Sequence, residues 1–484
     1  MSLIDRIVQA PLGDDPPSAR LLYGQDVRKS LRLLPDNSVH MVATSPPYWG
    51  LRDYGGEKGV WGGDPDCEHE WGEEGPPHHP GQVEQTKWKG AEAAGKGQTA
   101  GSGQLCSKCG AWLGQLGLEP TPEMFIEHLV EVCDEVQRVL RPDGTLWVNL
   151  GDSYIGGGGF YPDSPSNQNG SKQTSVGGTA KTNRTVTPYR EQGGFKKKDL
   201  AGIPWMFAFA LRDAGWYLRS DLIWSKGNPM PESVRDRPTK AHEYVFLFAH
   251  PDSKGKYFYD QDAIREPSTG QTGAAASFKR STKEAWVPGQ AALQHREDRE
   301  DCEDTGTRNK RSVWNVNTKP YPGAHFAVWP EALVEPMVKA GSSEHGVCSE
   351  CGAPWKRSKV KKPVEGKEGV STGGDPSRKD GGARVSDPSG GGGNVLARKT
   401  FAGAWQPTCE CDAGEPVRAT VMDIFSGSAT TGAVAMRLGR NYIGTDLQPD
   451  YFDLAESRLR GRKAPKKGGK ADDTPDLLSD LFGG

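Results

Sequence analysis

A serine, two prolines and two aromatic residues directly follow an apolar run near the amino-terminal end of the chain. The run His40–Thr44 has strand character, and Ser45–Trp49 (Ser-Pro-Pro-Tyr-Trp) comes next. Two prolines end a strand and fix the backbone, so the Ser45 side chain and the Pro46 carbonyl can point rigidly into a cleft. Hydrogen-bond acceptors beside an aromatic face suit a planar group with an exocyclic amine, such as a nucleobase. An ordinary proline turn with core aromatics is the equally weighted alternative.

A second segment, far along the chain, has the pattern of a nucleotide-binding turn. Val421–Gly432 reads as a strand, a Gly/Ser turn and a helix start, and Asn441–Asp446 reads as a strand ending in an acidic residue. Gly427 lets the backbone approach a ligand closely at the carboxyl end of its strand. Asp446 lies 19 residues later, where an acidic side chain can bind ribose hydroxyls. Taken alone this pattern is weak, because it lacks the G-x-G-x-x-G of dinucleotide folds.

Together the two segments resemble the amino-methylating DNA methyltransferases that use S-adenosylmethionine. Ser45–Tyr48 resembles their catalytic motif, in the Ser-Pro-Pro-Tyr form typical of cytosine-N4 enzymes. Asp423–Thr431 resembles their Asp-Pro-Phe-x-Gly-Ser-Gly-Thr-Thr cofactor loop, with departures at Ile424 and Ala429. Because the catalytic motif precedes the cofactor motif, the order resembles the permuted β class.

Other stretches are similar to further blocks of the same family. Leu22–Val39 resembles the usual lead-in, and Ser220–Lys226 with Pro229–Pro238 resembles the middle block. His325–Glu331 resembles the segment that completes the pocket on the methionine side of the cofactor.

The resemblance implies a role for individual residues. The catalytic residues are expected to be Ser45, Pro46, Pro47 and Tyr48. The cofactor-binding residues are expected to be Asp26, His325, Phe326, Asp423, Phe425, Gly427, Ser428, Thr430, Thr431 and Asp446. Ser45 and the Pro46 carbonyl would accept both N–H groups of the cytosine amine, which frees its lone pair to attack the sulfonium methyl in line. Tyr48 would stack on a target base flipped out of double-stranded DNA.

Three functions remain in competition at this point. The favoured one is a DNA cytosine-N4 methyltransferase. An adenine-N6 enzyme of the same family is the nearest alternative, because a serine in the first motif position biases the choice without deciding it. From another class, the chain could be a zinc-containing DNA-binding protein whose cofactor loop has decayed at Ile424 and Ala429. A cognate restriction endonuclease is the protein partner expected if the chain belongs to a restriction–modification pair.

Seven of the nine cysteines fall into two sets with metal-ligand spacing. The first set is Cys67, His69, Cys106 and Cys109, with His78 or His79 as replacements for His69; the second is Cys348, Cys351, Cys409 and Cys411. Each set suits one tetrahedral Zn²⁺, and a glycine after each Cys-x-x-Cys eases the turn. Four protein ligands leave no open position, so both sites are expected to be structural. Coincident buried thiols are the alternative.

Apolar runs alternate with helical patterns along most of the chain. The expected strands are Arg20–Gly24, His40–Thr44, Thr145–Leu150, Leu218–Trp224, Glu243–Ala249, Ala419–Phe425 and Asn441–Gly444. The expected helices are Thr121–Leu140, ending at Arg141–Gly144, then Pro204–Ala214 and Glu331–Ala340. This alternation predicts an α/β fold with a mostly parallel sheet, and the resemblance makes it a Rossmann-like methyltransferase sheet in permuted motif order, with two small Cys-rich zinc insertions.

Shifts in composition divide the chain into a core and its insertions. The core is expected in 1–55, 115–265, 312–345 and 417–460; the zinc insertions are 56–114 and 346–416; 156–199 is a flexible loop, 266–311 a candidate target-recognition region and 461–484 a disordered tail. Lysines and arginines in these insertions could follow the phosphates of DNA.

The overall composition excludes some classes of protein. Among the 484 residues, 60 basic and 63 acidic side chains give a net charge of −3, which argues against wholesale wrapping of nucleic acid but allows a local basic groove. No apolar run is long enough to span a bilayer, and the first residues lack a secretory signal. A cytoplasmic location in a bacterial or phage-infected cell is therefore expected.

Overall fold

The computed structural model describes residues 3–10, 16–50, 57–74, 103–155, 195, 198–267, 307–319, 328–363 and 398–462, with the backbone alone for 359–363 and 398–402. Some sequence-based predictions lie outside these residues. They concern His78, His79, His325 and Phe326, most of 156–199 and 266–311, and the tail from 463 onward.

Strands and helices alternate along the described chain. The strands are β1 (Ile4–Gln9), β2 (Ser18–Tyr23), β3 (Val39–Thr44), β4 (Gly59–Trp61), β5 (Gly103–Leu105), β6 (Trp112–Gly114), β7 (Leu140–Leu150), β8 (Tyr217–Ser225), β9 (His242–Ala249), β10 (Glu266–Pro267), β11 (Thr307–Arg308), β12 (Val313–Asn315), β13 (Lys356–Pro363), β14 (Arg398–Gln406), β15 (Thr420–Asp423) and β16 (Asn441–Asp446). The helices are α1 (Val27–Arg32), α2 (Pro122–Val139), α3 (Ile203–Asp213), α4 (Glu331–Gly341), α5 (Thr430–Arg437) and α6 (Phe452–Leu459).

One mixed sheet organises these elements. Its nine strands lie in the order β1-β2-β16-β15-β3-β7-β9-β8-β12. The run from β2 to β7 is parallel throughout, and β8 pairs in parallel with β12. Only β1 and β9, among the strands of this sheet, run against their neighbours. The predicted α/β fold with a mostly parallel, Rossmann-like sheet is confirmed.

The sheet is covered on both faces, as its nearly continuous apolar strands require. Side chains alternate between two cores: Leu22, Val42 and Leu146 lie in one with α1, α2 and α3. Their neighbours Tyr23 and Met41 lie in the other, with α4, α5 and α6. Period-two alternation along each strand therefore builds a three-layer arrangement with three helices on each side.

The long helix α2 shows how closely local sequence signals set an element. Its Thr121 cap accepts a hydrogen bond from the Met124 amide at 3.2 Å, and Pro122 occupies the first turn. The helix ends at Val139, with Leu140 as its C-cap, so the predicted stop before Arg141–Gly144 is confirmed; these four residues belong to β7, which begins at Leu140.

Several elements carry too weak a pattern to be predicted. Among them are the edge strands β1 and β12 and the short helices α1 and α6. The Gly-rich stretch 56–114 contains a three-stranded sheet in the order β4-β6-β5, and β13 and β14 form a hairpin. In the part of the chain that the structure describes, no helix is both long and apolar enough to cross a bilayer.

The direction of the strands decides where a site can form. The carboxyl ends of β2, β3, β7, β15 and β16 lie at one edge of the sheet. Because β9 is antiparallel to β7, its first residues lie at this edge as well. In open α/β sheets this edge is where ligands bind.

Candidate active site

The segment after β3 is held by a hydrogen-bond network beneath it. Ser45 Oγ donates to Asn149 Oδ1 at 3.3 Å, and Tyr48 OH lies 3.1 Å from the same oxygen. Tyr48 OH also donates to Glu243 Oε2 at 2.7 Å. The predicted catalytic residues Ser45 and Tyr48 therefore share Asn149 on β7, and Tyr48 also contacts Glu243 on β9.

The partners of Asn149 fix which way its amide points. Its Nδ2 donates to Glu243 Oε2 at 3.1 Å and to the Tyr244 carbonyl at 3.0 Å, so Oδ1 faces Ser45 as an acceptor. The Ser45 hydroxyl is thereby committed as a donor to Asn149. Its two oxygen lone pairs are left to accept hydrogen bonds from a substrate.

A charged pair and a glycine also help to fix the position of the Tyr48 ring. Lys226 donates to Glu243 Oε1 and so balances the carboxylate that holds Tyr48. Gly151 lies directly against the ring, because a Cβ there would be 2.4 Å from Tyr48 Cε2. The ring position is thus set by its hydroxyl at one end and by packing at the other.

The predicted cofactor loop between β15 and α5 is built around the buried Asp423. Asp423 Oδ1 accepts from Thr44 Oγ1 at 2.7 Å and from the Phe425 amide at 3.1 Å, and Oδ2 accepts from Thr431 Oγ1 at 2.7 Å. Burial raises the pKa of Asp423 to about 6. The Thr44 bond joins the cofactor loop to the residue that precedes Ser45.

Asp446 lies at the end of β16, facing the turn of the same loop. Its Oδ2 accepts from the Gly427 amide at 2.8 Å and its Oδ1 from the Gln448 amide at 2.8 Å. Each carboxylate oxygen keeps a second lone pair, and desolvation raises the pKa of Asp446 to about 6. Gly427 has a φ of +49°, and a Cβ built on it meets no atom within 4 Å, so a ligand has room beside this carboxylate.

The two departures from the family's loop are accommodated locally. Ile424 is buried in the core on the α2 side, and its carbonyl accepts from Thr445 Oγ1 at 2.7 Å. Ala429 has a φ of +56°, where glycine would be free of strain, and it caps α5 while packed in the other core. Both side chains therefore serve the fold of the loop.

Other predicted cofactor residues have partners within the protein. The hydroxyls of Ser428 and Thr430 accept from Arg458 Nη1 at 3.2 and 2.7 Å. Asp26 caps α1 through the Arg28 amide and pairs with the Arg28 guanidinium at 2.8 Å. Phe425 is half-buried against the core. His325 and Phe326 lie outside the described residues.

Both predicted cysteine sets come together in space. Cys67, His69, Cys106 and Cys109 have ligand atoms that all lie within 4.8 Å of one another. The same is true of the set Cys348, Cys351, Cys409 and Cys411. Each group has the donor atoms and the spacing to hold one tetrahedral ion.

Four site residues were missed by sequence reasoning: Asn149, Gly151, Lys226 and Glu243. Asn149 and Gly151 follow an apolar run, so a polar residue and a glycine at a strand's carboxyl end were an available signal. Glu243 gave no such signal, because it stands at the start of a strand.

The α/β sheet covered on both faces, with polar groups gathered at the carboxyl ends of its parallel strands, is the architecture of nucleotide-cofactor enzymes. The family model described as DNA methylase, of the N6/N4 methyltransferase type, matches residues 39–349 and 412–457. The chain belongs to this family and is an S-adenosylmethionine-dependent DNA methyltransferase.

Curated relatives agree over nearly the whole chain. Type II methyltransferase M.XycI of Xanthomonas campestris pv. cyanopsidis is 32% identical over 92% of this chain and 88% of its own length. Type II methyltransferase M.SmaI of Serratia marcescens is 31% identical over 92% of each. Among solved structures, the chain is similar to the PvuII DNA methyltransferase (cytosine-N4-specific), with 13% identity, a TM-score of 0.42 and coverage of 92% of this chain and 89% of that one.

Proposed function

We propose that this chain transfers a methyl group from S-adenosylmethionine to the exocyclic N4 amine of cytosine in double-stranded DNA. The observation that carries the proposal is the commitment of the Ser45 hydroxyl as a donor to Asn149. An oxygen fixed in this way can only accept from a substrate N–H. The Ser-Pro-Pro-Tyr form of the motif favours cytosine-N4 over adenine-N6.

The cofactor is assigned to the loop that faces Asp446. Gly427 gives it open space, and the spare lone pairs of Asp446 suit ribose hydroxyls. Phe425 offers a half-buried ring at the same edge, and Asp423 positions the loop through Thr44 and Thr431. When bound, S-adenosylmethionine supplies an electrophilic methyl group on a sulfonium sulfur.

The protein's own contribution to the reaction is orientation and hydrogen bonding. Ser45 Oγ, together with the Pro46 carbonyl, accepts the two N–H groups of the amine, which withdraws its lone pair from the ring. The nitrogen gains the methyl carbon as the bond from that carbon to the sulfonium sulfur breaks, which would leave neutral S-adenosylhomocysteine, and the nitrogen loses one proton to solvent. Pro47 keeps the loop rigid, and Tyr48 stacks on the base while its hydroxyl stays on Glu243.

The base must leave the duplex to reach this site, since an amine in a base pair is shielded by stacking. We therefore assign double-stranded DNA with a flipped target base as the substrate. Because the curated relatives are named Type II methyltransferases, a cognate restriction endonuclease is the expected partner in function.

The product identifies the reaction. The protein is incubated with methyl-labelled S-adenosylmethionine and mixed-sequence duplex DNA, which is then digested to nucleosides for mass spectrometry. Labelled N4-methylcytosine is the expected product. N6-methyladenine would overturn the choice of base while keeping the enzyme class. The DNA tested includes the genome of the source organism with its methylation removed. If no labelled base is found on this DNA, the proposed function is overturned.

A further inference from the structure

We propose that the first cysteine set, Cys67/His69/Cys106/Cys109, binds a zinc ion that braces the catalytic loop, and that the second set, Cys348/Cys351/Cys409/Cys411, binds a zinc ion at the opposite edge of the sheet. The metal sites stand independently of the proposed function, whereas the effect of the first ion on turnover rests on it.

The donor atoms have the spacing of a shared ion. In the first set, Cys67 Sγ lies 4.0 Å from Cys106 Sγ, and Cys109 Sγ lies 3.4 Å from His69 Nδ1. A tetrahedral zinc with bonds of about 2.3 Å to sulfur places its ligands roughly 3.8 Å apart. Thiolates with or without one imidazole favour zinc over the hard, oxygen-seeking cations.

The backbone supplies an independent observation, because both Cys-x-x-Cys turns are folded alike. Cys106 donates its amide to the Ala111 carbonyl at 2.7 Å, and Gly110 donates to the Cys106 carbonyl at 3.0 Å. In the second set, Cys348 donates to Ala353 at 2.8 Å and Gly352 to Cys348 at 2.9 Å. The two turns belong to unrelated parts of the chain. Their common fold indicates a common task, which is to present two sulfurs to one ion.

The first turn leads directly into the catalytic loop. From Cys109 the chain runs through β6 to Gly117, whose carbonyl accepts from the Gly50 amide at 2.7 Å. The Glu119 carbonyl accepts from Trp49 Nε1 at 3.0 Å. A Cβ on Gly117 would lie 3.1 Å from Pro47 Cβ, so the segment that follows β6 lies against Pro47.

The insertion packs against α2, and its Trp61, Leu105 and Trp112 belong to the same buried core as α1, α2 and α3. Trp61 and Trp112 both stack with His128 of α2, with ring centroids 5.2 and 5.6 Å away. His128 Nδ1 lies 3.0 Å from the buried Glu119 carboxylate, which also accepts from the Gly117 amide. Because β4, β5 and β6 are each only three residues long, a further link is needed to keep them in register, and a zinc ion provides it.

The second set contacts β3, at the end of the strand opposite to Ser45. The Gly352 carbonyl lies 3.1 Å from His40 Nε2, at the start of β3, and the Cys351 carbonyl accepts from Arg141 Nη1 at 2.5 Å. From His40 to Ser45 the strand rises roughly 3.3 Å per residue, which puts this set on the order of 15 Å from the chemistry. The ion of the second set is expected to increase the stability of the fold without affecting the rate of methyl transfer.

Metal content tests the sites without any activity assay. Elemental analysis of the purified chain is expected to give two zinc ions per molecule. Cys106→Ser/Cys109→Ser and Cys348→Ser/Cys351→Ser are each expected to leave one, while Cys133→Ser, at a buried thiol outside both sets, leaves two. Absence of zinc, another metal in its place, or a content unchanged by the paired substitutions would overturn the proposal.

The two ions are then told apart by what their loss does. Hydrogen exchange at residues 45–50 is expected to speed up in Cys106→Ser/Cys109→Ser and to stay unchanged in Cys348→Ser/Cys351→Ser. The first variant should methylate DNA about 100-fold more slowly with S-adenosylmethionine affinity within about twofold, whereas the second should show mainly a lower melting temperature. Equal effects of the two variants on the loop would overturn the bracing role.

A milder variant covers the case in which the first double variant does not fold. Trp49→Phe keeps the ring in the core but removes the Nε1 bond to Glu119, so it loosens the same link with the zinc ligands intact. It is expected to speed exchange at residues 45–50 and to retain two zinc ions. If wild-type protein held two zinc ions but methylated nothing, the proposed function would fail while exchange still decided the bracing role.

Discussion

Ser45 donates to Asn149, and Asn149 is itself locked by Glu243 and the Tyr244 carbonyl. This chain of bonds determines the polarity of the group that meets the substrate. A serine hydroxyl that rotated freely could donate or accept, but here its proton is directed to Asn149, so in the proposed reaction its oxygen meets the substrate as an acceptor. Preorganised acceptors of this kind cost no reorganisation during the reaction.

At the same scale, Asp446 predicts how cofactor binding depends on pH. Because its pKa is raised to about 6, acid near that pH removes the carboxylate that would accept the ribose hydroxyls. Calorimetric titration should show the dissociation constant for S-adenosylmethionine increasing by about tenfold at one pH unit below the pKa. Asp446→Asn should bind weakly with a flat pH profile. A flat profile in the wild type would contradict the assignment.

The same shift has a defined effect on folding. A raised pKa means that the folded state binds the proton more tightly than the unfolded chain does. Burial of Asp446 therefore lowers the free energy of unfolding as the pH rises from 3.8 to about 6, and the penalty is constant above that.

Among the elements, β7 and β9 show what the sequence could and could not reveal. Apolar runs predicted both strands within a few residues. The motif predicted that Ser45 and Tyr48 are catalytic residues. Glu243 lies 195 residues from Tyr48 and joins the site only because β9 runs antiparallel to β7. Strand direction is set by packing of the whole sheet, so no local sequence pattern could predict it.

The end of β7 also gives a prediction about the Tyr48 ring. In Gly151→Ala the new methyl group would collide with Tyr48 Cε2, and the ring would have to move. We expect the rate of methyl transfer to fall by about 100-fold, since a displacement near 1 Å at a reacting group has that effect. Melting temperature and S-adenosylmethionine affinity should change little. A normal rate would show that the ring position does not matter.

Across the whole molecule, the proposed active site and the second cysteine set lie at opposite edges of the sheet. One edge carries the proposed cofactor loop and the proposed catalytic loop, which are joined by the bond from Thr44 to Asp423. The other edge is held by the second cysteine set through His40 and Arg141. The spacing of the cysteines predicted both sets, but their placement at opposite ends of β3 required the fold.

Binding of S-adenosylmethionine and transfer of its methyl group should therefore be separable. One variant, Ser45→Ala, tests this most directly. The measurement is the single-turnover rate of methyl transfer to duplex DNA by Ser45→Ala, alongside its dissociation constant for S-adenosylmethionine. The account predicts a rate at least about 100-fold below wild type, because one transition-state hydrogen bond is lost, with cofactor affinity within about twofold. A wild-type rate would contradict the assignment of Ser45 as the acceptor of the amine.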